Sequence, residues 1–500
     1  MSPASHHPSS SVVPFAAVLL LAGALAGCGD GGGPPRRTIA LTECRLPRLA
    51  VPAQCGELTV PENRDRPDGR KITLAIAVLP ANTLTPKPDP LFILAGGPGQ
   101  AASHLGPFAA LLTGVRKDRD LVLVDQRGTG RSAPLECAAF RPDDGAESAF
   151  ELDPVPKAAA CAKELAAKGI DAAQYTTAAW VADLDAVREA LGYRRINLWG
   201  GSYGTRVALE YLRRHPDRVR SVVLDGVAPP AMKVSLDIWP TRDAMLSAVL
   251  DACAKSPACR TAHPDLAATL AGIRDRLGTA GSDVTVPDPR TGLPRPLKLG
   301  FDHVVSALQP LIYVPELQAL LPEVIARAAA GDYGPLYAAA MLATGDLAEQ
   351  TSAALHFSVT CAEDAPRVAA AEAQAALAGV RSRALAERVL AVCDVWPRGK
   401  APADATEPVK SDVPVLILSG GLDPVTPPAN GTAVARTLPN SRHVVAGGYG
   451  HIVSAHACAP RLIAAFVEDP SFATLPATCV EHFEKSVRPP LWPDRLGGAP

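Results

Sequence analysis

The run of residues 198–205, LWGGSYGT, constrains the fold of this chain more than any other feature. Apolar residues lead into a Gly-x-Ser-x-Gly turn, and the residues after the turn carry the apolar spacing of a helix. The glycines permit a turn that bulkier side chains would block. The pattern predicts a strand, a sharp turn centred on Ser202, and a helix, so that the serine hydroxyl projects from the end of a sheet.

The flanking sequence favours this interpretation over a chance match in a Gly-rich turn. Residues 177–191 carry helix-spaced apolar residues, residues 195–199 form a short apolar strand, and residues 207–212 give the next segment one apolar face. A strand between two helices is the context in which such a serine becomes an exposed nucleophile. The next backbone N–H, that of Tyr203, then faces the oxygen that becomes negatively charged during the reaction.

The rest of the chain predicts an α/β architecture with a mainly parallel sheet. Helical patterns alternate with several strand-like segments, which are 72–79, 91–94, 121–124, 196–199 and 222–224. Strand patterns then become rare until 413–419 and 443–445, and the Pro-rich stretch 287–296 is typical of a surface loop. We therefore expect a core in residues 41–228 and 409–500, interrupted over residues 229–408 by a mainly helical cap insertion.

Two residues after the turn can complete a catalytic set. A serine hydroxyl needs a base, and the base needs an acid that holds its tautomer. Asp423 follows an apolar strand in SGGLDPVTPP, and His451 follows another strand in GGYGHIV. Their chain order, with Ser202 first, is the order of the α/β-hydrolase arrangement. Asp423 as a mere turn residue before Pro424, and Asp225 as a rival acid after the preceding strand, are the alternatives.

The glycine-rich loop of residues 94–99, LAGGPG, is the candidate second half of an oxyanion hole. Such a hole needs two donors, and one is expected from a loop after an earlier strand. Adjacent glycines let the backbone approach a substrate carbonyl closely, and we expect the N–H of Gly97 to join that of Tyr203. A phosphate-binding role is disfavoured, because no Gly-Lys-Ser/Thr follows.

The first residues predict export. Residues 12–26 form an apolar run too short for a comfortable membrane span, and it ends in Leu-Ala-Gly-Cys28. This ending resembles a bacterial lipoprotein processing box, which implies a signal peptide over 1–27, lipidation of Cys28 and a flexible tether over 28–40. Residues 1–11 lack the Lys or Arg with which an export signal normally begins, so an ordinary secretory peptide cleaved nearby is the alternative.

The cysteines agree with an oxidising compartment. Without Cys28 an even ten remain, which makes a disulfide framework plausible, although sequence alone does not fix the pairing. Proximity suggests the pairs Cys44–Cys55, Cys137–Cys161, Cys253–Cys259, Cys361–Cys393 and Cys458–Cys479. A free, buried Cys361 is the alternative there. The spacings of Cys and His match no four-ligand metal pattern, so we expect no metal and no other cofactor.

Charge balance argues against one class of partner. The formal net charge is −2, and aromatic residues make up 5% of the chain. A nucleic-acid-binding protein needs a basic surface or a stacking platform, so we expect no nucleic-acid partner.

Several motifs together resemble a known family. They are Gly96-Gly-Pro-Gly99, Asp125-Gln-Arg-Gly-Thr-Gly-Arg-Ser132, Gly200-Gly-Ser-Tyr-Gly-Thr205, Asp423 and His451. The set, which extends over roughly residues 40–490, is similar to the proline iminopeptidase and tripeptidyl aminopeptidase group of α/β-hydrolases, and most of all to exported bacterial tripeptidyl aminopeptidases. One departure is Ala95, where some members have His before the glycines, and this leaves the preference for the residue before the cleaved bond open.

The resemblance implies an α/β-hydrolase fold with a helical cap, and a serine exopeptidase that releases short units, such as tripeptides, from free peptide N-termini. Such an enzyme must bind an ammonium group, and the acidic pair Glu363 and Asp364 resembles an acidic stretch of the family. The alternative is a surface turn or helix start, since Asp before Ala-Pro suits a cap. In the charged motif, Asp125 and Arg127 are expected to brace neighbouring loops rather than to take part in chemistry.

Two other functions stay open at this point. A carboxylesterase would use the same three residues, because both reactions pass through a tetrahedral intermediate and an acyl-enzyme. A non-catalytic envelope binding protein on the same scaffold is the third class. Substrate choice lies in the cap, where the sequence is least informative.

Overall fold

The structure, a computed structural model, describes residues 37–141, 152–278, 281–344 and 351–487. The predicted signal peptide and Cys28 lie outside the described residues. The strands are β1 (Thr42–Cys44), β2 (Ala53–Pro61), β3 (Lys71–Leu79), β4 (Leu91–Leu94), β5 (Leu121–Val124), β6 (Ile196–Gly201), β7 (Val219–Asp225), β8 (Ser282–Pro287), β9 (Pro294–Leu299), β10 (Val415–Gly420) and β11 (Ser441–Ala446).

Helices occupy much of the remaining described chain. They are α1 (Gly106–Leu111), α2 (Thr113–Arg116), α3 (Val155–Ala167), α4 (Thr177–Ala190), α5 (Tyr203–Arg214), α6 (Val234–Lys255), α7 (Pro257–Ala262), α8 (Leu266–Leu277), α9 (Phe301–Tyr313), α10 (Pro315–Gln318), α11 (Leu321–Ala329), α12 (Gly334–Thr344), α13 (Ala353–Glu363), α14 (Ala370–Ala376), α15 (Arg383–Ala391), α16 (Pro428–Ala435), α17 (Ala459–Glu468) and α18 (Ala477–Glu484). None of the described helices combines the length and apolar character that crossing a membrane would require.

The central sheet is mainly parallel, as the sequence predicts. Within the described residues its nine strands run in the order β1-β2-β3-β5-β4-β6-β7-β10-β11. The pairs from β5 to β11 are parallel, whereas β1, β2 and β3 form an antiparallel edge that joins β5. Parallel pairing aligns the carboxyl ends of β4, β6, β7 and β10 at one edge of the sheet.

Helices cover both faces of this sheet. Leu121 and Leu123 of β5 pack with α1, α17 and α18, whereas Val122 and Val124 pack with α3, α4 and α5 on the opposite face. Successive side chains of a strand point to opposite faces, so a strand that is apolar throughout needs cover on both sides. The continuous apolar runs of the sequence therefore mark buried central strands.

The segment between β7 and β10 contains α6 to α15 and has an apolar core of its own, built from α6, α8, α9, α11 and α12. One part differs from the expectation for its sequence. Residues 287–296 do not form only a loop, because β8 ends at Pro287, β9 begins at Pro294, and the two pair as an antiparallel hairpin. Each strand of a two-stranded hairpin has a free edge, where proline is tolerated, so Pro296 fits inside β9 although the Pro-rich stretch resembled a loop throughout.

The described residues contain five disulfides, and they join the cysteines that proximity suggested. The pairs are Cys44–Cys55, Cys137–Cys161, Cys253–Cys259, Cys361–Cys393 and Cys458–Cys479. Cys361 is thus not free. Disulfides persist in oxidising compartments, so this framework is consistent with export.

The charged motif of residues 125–132, directly after β5, contributes buried hydrogen bonds that connect loops to the core. Arg127 is completely buried, and its guanidinium donates to both oxygens of buried Asp183, at 2.6 and 2.8 Å, and to the carbonyl of Glu62 at 2.7 Å. The Asp125 carboxylate accepts hydrogen bonds from the backbone N–H and hydroxyl of Ser103 and from the N–H of Arg131. Both side chains therefore connect loops to the sheet.

This arrangement predicts a large stability effect at Asp183. Asp183→Asn should lower the free energy of unfolding by about 3–5 kcal/mol, because it leaves the buried Arg127 charge without a countercharge. Asp404→Asn is the control, since Asp404 pairs with Arg214 at the surface and its loss should have a much smaller effect on stability. Urea unfolding measures both, and equal small losses would contradict the importance of the buried pair.

Candidate active site

Ser202 lies in the predicted sharp turn between β6 and α5. Its backbone has φ 56° and ψ −126°, a conformation that is strained for a residue with a side chain. Two glycines make the turn possible: a Cβ on Gly200 would lie 2.4 Å from the carbonyl oxygen of Gly204, and one on Gly204 would lie 2.2 Å from that of Leu94. The turn is fixed further by a hydrogen bond from the Ser202 N–H to the carbonyl of Asp225, at 2.8 Å.

Asp423 and His451, which are 28 positions apart, meet beyond the same edge of the sheet. The distance from His451 Nδ1 to Asp423 Oδ2 is 2.8 Å. Asp423 is buried, and its other oxygen accepts the backbone N–H groups of Val425 and Thr426, each at 2.8 Å. The Thr426 hydroxyl donates to Oδ2 at 2.7 Å. These bonds fix the carboxylate towards the imidazole, an arrangement that holds the His tautomer and stabilises an imidazolium.

His451 follows β11 in the chain but reaches the end of β7, the strand beside the one that leads to Ser202. Gly201 of β6, which precedes Ser202, is paired with Asp225 of β7. Gly226 follows Asp225, and a Cβ on Gly226 would lie 3.2 Å from Cε1 of His451. Among the described residues, no hydrogen bond joins the imidazole to the Ser202 hydroxyl. Such bonds are often long in sites without substrate and tighten only when it binds.

Asp225, the rival acid, has a different set of partners. Its carboxylate oxygens accept the backbone N–H groups of Val453 and Ser454, at 3.0 and 2.7 Å. It therefore shapes the loop just after His451 without bonding to the imidazole. The negative charge of Asp225 nevertheless acts on the ring and favours the protonated imidazole of His451.

The pKa values of His451 and Asp423 are shifted in opposite directions. Burial alone would lower the pKa of His451, but the charge of Asp423 and the hydrogen bond to it outweigh burial and hold the pKa above its ordinary value. Burial alone would raise the pKa of Asp423, but His451 and Thr426 stabilise its charge and hold the pKa below the usual range. The pair is suited to a base that accepts a proton beside a permanent carboxylate.

The loop after β4 lies against the serine. A Cβ on Gly96 would lie 3.0 Å from the Cβ of Ser202 and 3.6 Å from its Oγ. The next residue, Gly97, has φ 108°, and a Cβ there would lie 2.6 Å from the backbone nitrogen of Gly99. Tyr203 is the first residue of α5, so its N–H has no carbonyl of the same helix to bond. Tyr203 thus follows Ser202 directly in the chain, and the loop that carries Gly97 contacts Ser202 through Gly96.

Glu363 and Asp364 are not at the surface. The Asp364 side chain is fully buried and accepts from Arg206 and Arg367, at 3.1 and 3.0 Å. The Glu363 side chain is 10% exposed and accepts from the N–H and hydroxyl of Thr177, at 2.7 and 2.9 Å. The surface-turn alternative is therefore wrong. Asp364 does stand directly before a short helix, Ala365–Arg367, but its side chain makes no capping hydrogen bond.

Burial raises the pKa of Glu363 to about 7, against the opposing charge of Arg206. The hydroxyl of Thr177 also lies 2.7 Å from that of Tyr203, so Glu363 is connected to the residue after the nucleophile candidate. Asp364 Oδ2 is buried and, among the described residues, has no hydrogen-bond partner. The cluster thus keeps one acceptor unused.

Sequence reasoning missed two residues of this site. Thr426 stands three positions after Asp423, the spacing at which a residue closes a turn onto a carboxylate, so this signal was available. Tyr313, at the end of α9, accepts the backbone N–H of His451 at 3.2 Å, and its ring meets the imidazole edge to face at 5.7 Å. No local motif marks Tyr313, because its contact depends on how the helical segment packs on the core.

Known proteins match the chain in two blocks. The family model of the α/β hydrolase fold matches residues 89–301, and that of the TAP-like proteins matches residues 379–479. The first block contains Ser202, and the second contains Asp423 and His451. The predicted α/β-hydrolase fold is confirmed.

Individual relatives are peptidases by name. Serine protease Hip1 of Mycobacterium tuberculosis is 34% identical over 239 residues, which are 44% of this chain and 45% of that protein. Tripeptidyl aminopeptidase of Streptomyces lividans is 33% identical over 200 residues, 37% of each chain. Proline iminopeptidase of Neisseria meningitidis is 33% identical over 138 residues, 28% of this chain and 32% of that protein. The matches thus span less than half the length of these curated relatives.

The geometry predicts which acid controls His451. Asp423→Asn should lower the pKa of His451, because the amide supplies neither the charge nor the same hydrogen bond. Asp225→Asn should lower it less, because Asp225 acts on the ring through its charge alone. An NMR titration of ¹³C-labelled histidine rings measures both, with His451→Gln to assign the signal. A larger fall in Asp225→Asn would make Asp225 the partner acid.

Proposed function

We propose that this chain, which belongs to the α/β-hydrolase family, is a serine peptidase that releases short units, such as tripeptides, from free peptide N-termini. One observation carries the proposal: Ser202 occupies a strained turn at the same sheet edge as the hydrogen-bonded pair Asp423 and His451. The named peptidases among its relatives support a peptide substrate. The whole chain's activity is inferred, because each relative matches only in part.

In the proposed reaction, His451 takes the proton of the Ser202 hydroxyl as its oxygen attacks the substrate carbonyl. Asp423 stabilises the imidazolium that forms and stays ionised. The N–H groups of Gly97 and Tyr203 bind the oxyanion of the tetrahedral intermediate. His451 then gives its proton to the departing amine, and water, activated by the same imidazole, releases the acyl group from Ser202.

The acidic cluster supports recognition of a free amino end. A peptide ammonium needs acceptors in a site where water competes little, and the unused Asp364 Oδ2 and the nearly buried Glu363 provide them. The two nearby arginines, Arg206 and Arg367, oppose such a guest electrostatically. We therefore propose that Glu363, which is farther from Arg206 than Asp364 is, carries the contact and that Asp364 assists it.

A carboxylesterase is the second candidate, because the same three residues would cleave an ester. The observation that favours the peptidase is the acidic cluster, since an ester of a lipid or small molecule offers no ammonium group. For localisation, we propose an exported protein anchored to a membrane by a lipid on Cys28. The five disulfides support export, and the Leu-Ala-Gly-Cys sequence supports the anchor.

The proposed function predicts selectivity for a free amine. Tripeptide anilides should be cleaved with release of the intact tripeptide, and N-acetylation should slow this at least about tenfold, because it removes a charge-assisted contact. Ser202→Ala should lower kcat by roughly 10⁴ or more. Liquid chromatography of the products measures rate and length together.

The outcomes separate the candidates. Faster cleavage of an ester than of any peptide, with no effect of Glu363→Gln plus Asp364→Asn, would establish the carboxylesterase instead. A folded protein whose Ser202 does not react with a fluorophosphonate would be a non-catalytic binding protein.

Glu363 predicts a pH dependence of substrate binding. Its pKa of about 7 means that the carboxyl gains charge as pH rises through neutrality, so KM for free-amine peptides should fall from pH about 6 to about 7.5. Glu363→Gln should flatten this trend in KM, while the pH profile of kcat, set by His451, stays. Glu387→Gln, at an exposed site on α15, is the control. A KM trend that survives in Glu363→Gln would remove Glu363 from substrate binding.

A further inference from the structure

Arg242 of α6 is held rigidly above the candidate active site. Its guanidinium carbon lies 5.7 Å from the ring centre of Trp239 and 5.6 Å from that of Tyr313. Nη2 donates to the Tyr313 hydroxyl at 2.5 Å, and Nη1 donates to Oε1 of Gln309 at 3.1 Å. Two aromatic rings and two hydrogen bonds thus fix the plane of the guanidinium.

Within the part of the chain that the structure describes, the charge of Arg242 has no countercharge. Among the described residues no carboxylate lies within ion-pair distance of it, and its Nε–H is buried without an acceptor. Arg242 is half-buried, and the buried arginines differ from it, since Arg127 binds Asp183, Arg188 binds Asp185 and Arg206 binds Asp364. A partly desolvated cation normally needs such a partner. An anion brought by a ligand would supply the countercharge that the described residues do not give to Arg242.

Tyr313 contacts both Arg242 and His451, so the guanidinium lies on the same side of the site as His451. Its carbonyl accepts the His451 N–H, its ring packs on the imidazole, and its hydroxyl receives the Arg242 hydrogen bond. A Cβ on Gly450 would lie 2.2 Å from the same carbonyl oxygen, so α9 is docked tightly on the histidine loop. The charge of Arg242 reaches both His451 and His356 and opposes their protonation.

We propose that Arg242, with Gln309 and Tyr313, binds a carboxylate on the departing part of the substrate. In a serine peptidase the histidine delivers its proton to the leaving amine, so a group beside His451 faces the leaving fragment. Nη1 and Nη2 each keep one further hydrogen, and a planar guanidinium is the side-chain group best suited to bind a carboxylate. This inference rests on the proposed function and narrows its substrate class to short peptides whose C-terminal carboxylate lies a residue or two after the cleaved bond.

An acidic side chain just after the cleaved bond would present the same chemistry. The two sources differ in what they imply, because one selects short peptides and the other selects a sequence. If Glu363 binds the amino end and Arg242 binds the terminal carboxylate, the enzyme selects short peptides with both ends free. We favour the terminal carboxylate, since every short peptide carries one.

The test compares matched peptides of four to six residues with a free N-terminus, each made as the C-terminal acid and as the amide. The wild-type enzyme should cleave the acid with a kcat/KM roughly 10- to 100-fold higher than that of the amide. Arg242→Gln should bring this ratio close to one. Arg388→Gln is the matched control, because Arg388 pairs with Asp302 in the same helical segment, and it should keep the wild-type ratio.

A second pair of peptides, both amidated, carries Asp or Asn after the cleaved bond and identifies a side-chain source of the carboxylate. A wild-type acid-to-amide ratio near one, with no preference for Asp, would overturn the inference even if Arg242→Gln fails to fold. A ratio that persists in folded Arg242→Gln would overturn it as well. Failure of the wild type to cleave any of these peptides would instead overturn the proposed function, and the inference with it.

Discussion

The close approach of backbones around Ser202 is the constraint on which the rest of the site depends. Gly200 contacts the backbone of Gly204, and Gly204 contacts that of Leu94, so β4, β6 and α5 come nearer than any side chain would allow. This proximity forces Ser202 into a positive φ and exposes its hydroxyl beyond the sheet. The strain persists because the hydrogen bond from the Ser202 N–H to Asp225, and the bonds of Thr205 to the Ser202 carbonyl, determine the turn from both sides.

Sequence alone predicts the parts of the site that depend on local chemistry. The turn at Ser202 requires glycines beside it, Asp423 and His451 each follow an apolar strand, and parallel strands bring such residues to one edge. The acidic cluster could not be predicted in this way. Asp364 binds Arg206 across 158 positions, and nothing near either residue indicates the other, so an exposed cap was an equally good interpretation. The hairpin β8–β9 was missed because prolines beside its turn and inside β9 obscured its alternation.

Two carboxylates at neighbouring strand ends, Asp225 and Asp423, together position His451. Asp423 bonds to the imidazole of His451, whereas Asp225 accepts two backbone N–H groups from the loop after His451. Each carboxylate is buried and hydrogen-bonded, which makes its charge tolerable. The position of His451 therefore depends on both, although only one contacts its ring.

Helix α13 connects the two halves of the candidate oxyanion hole. Just before its start, the Ser352 N–H donates to the carbonyl of Gly99 at 2.9 Å, in the loop that carries Gly97. At its end, Glu363 accepts from Thr177, which leaves the Thr177 hydroxyl oxygen to accept the Tyr203 hydroxyl at 2.7 Å. A movement of this helix would therefore displace both candidate donors at once. Since α13 also leads back from the helical segment to the core, its hydrogen bonds link that segment to the loops on both sides of Ser202.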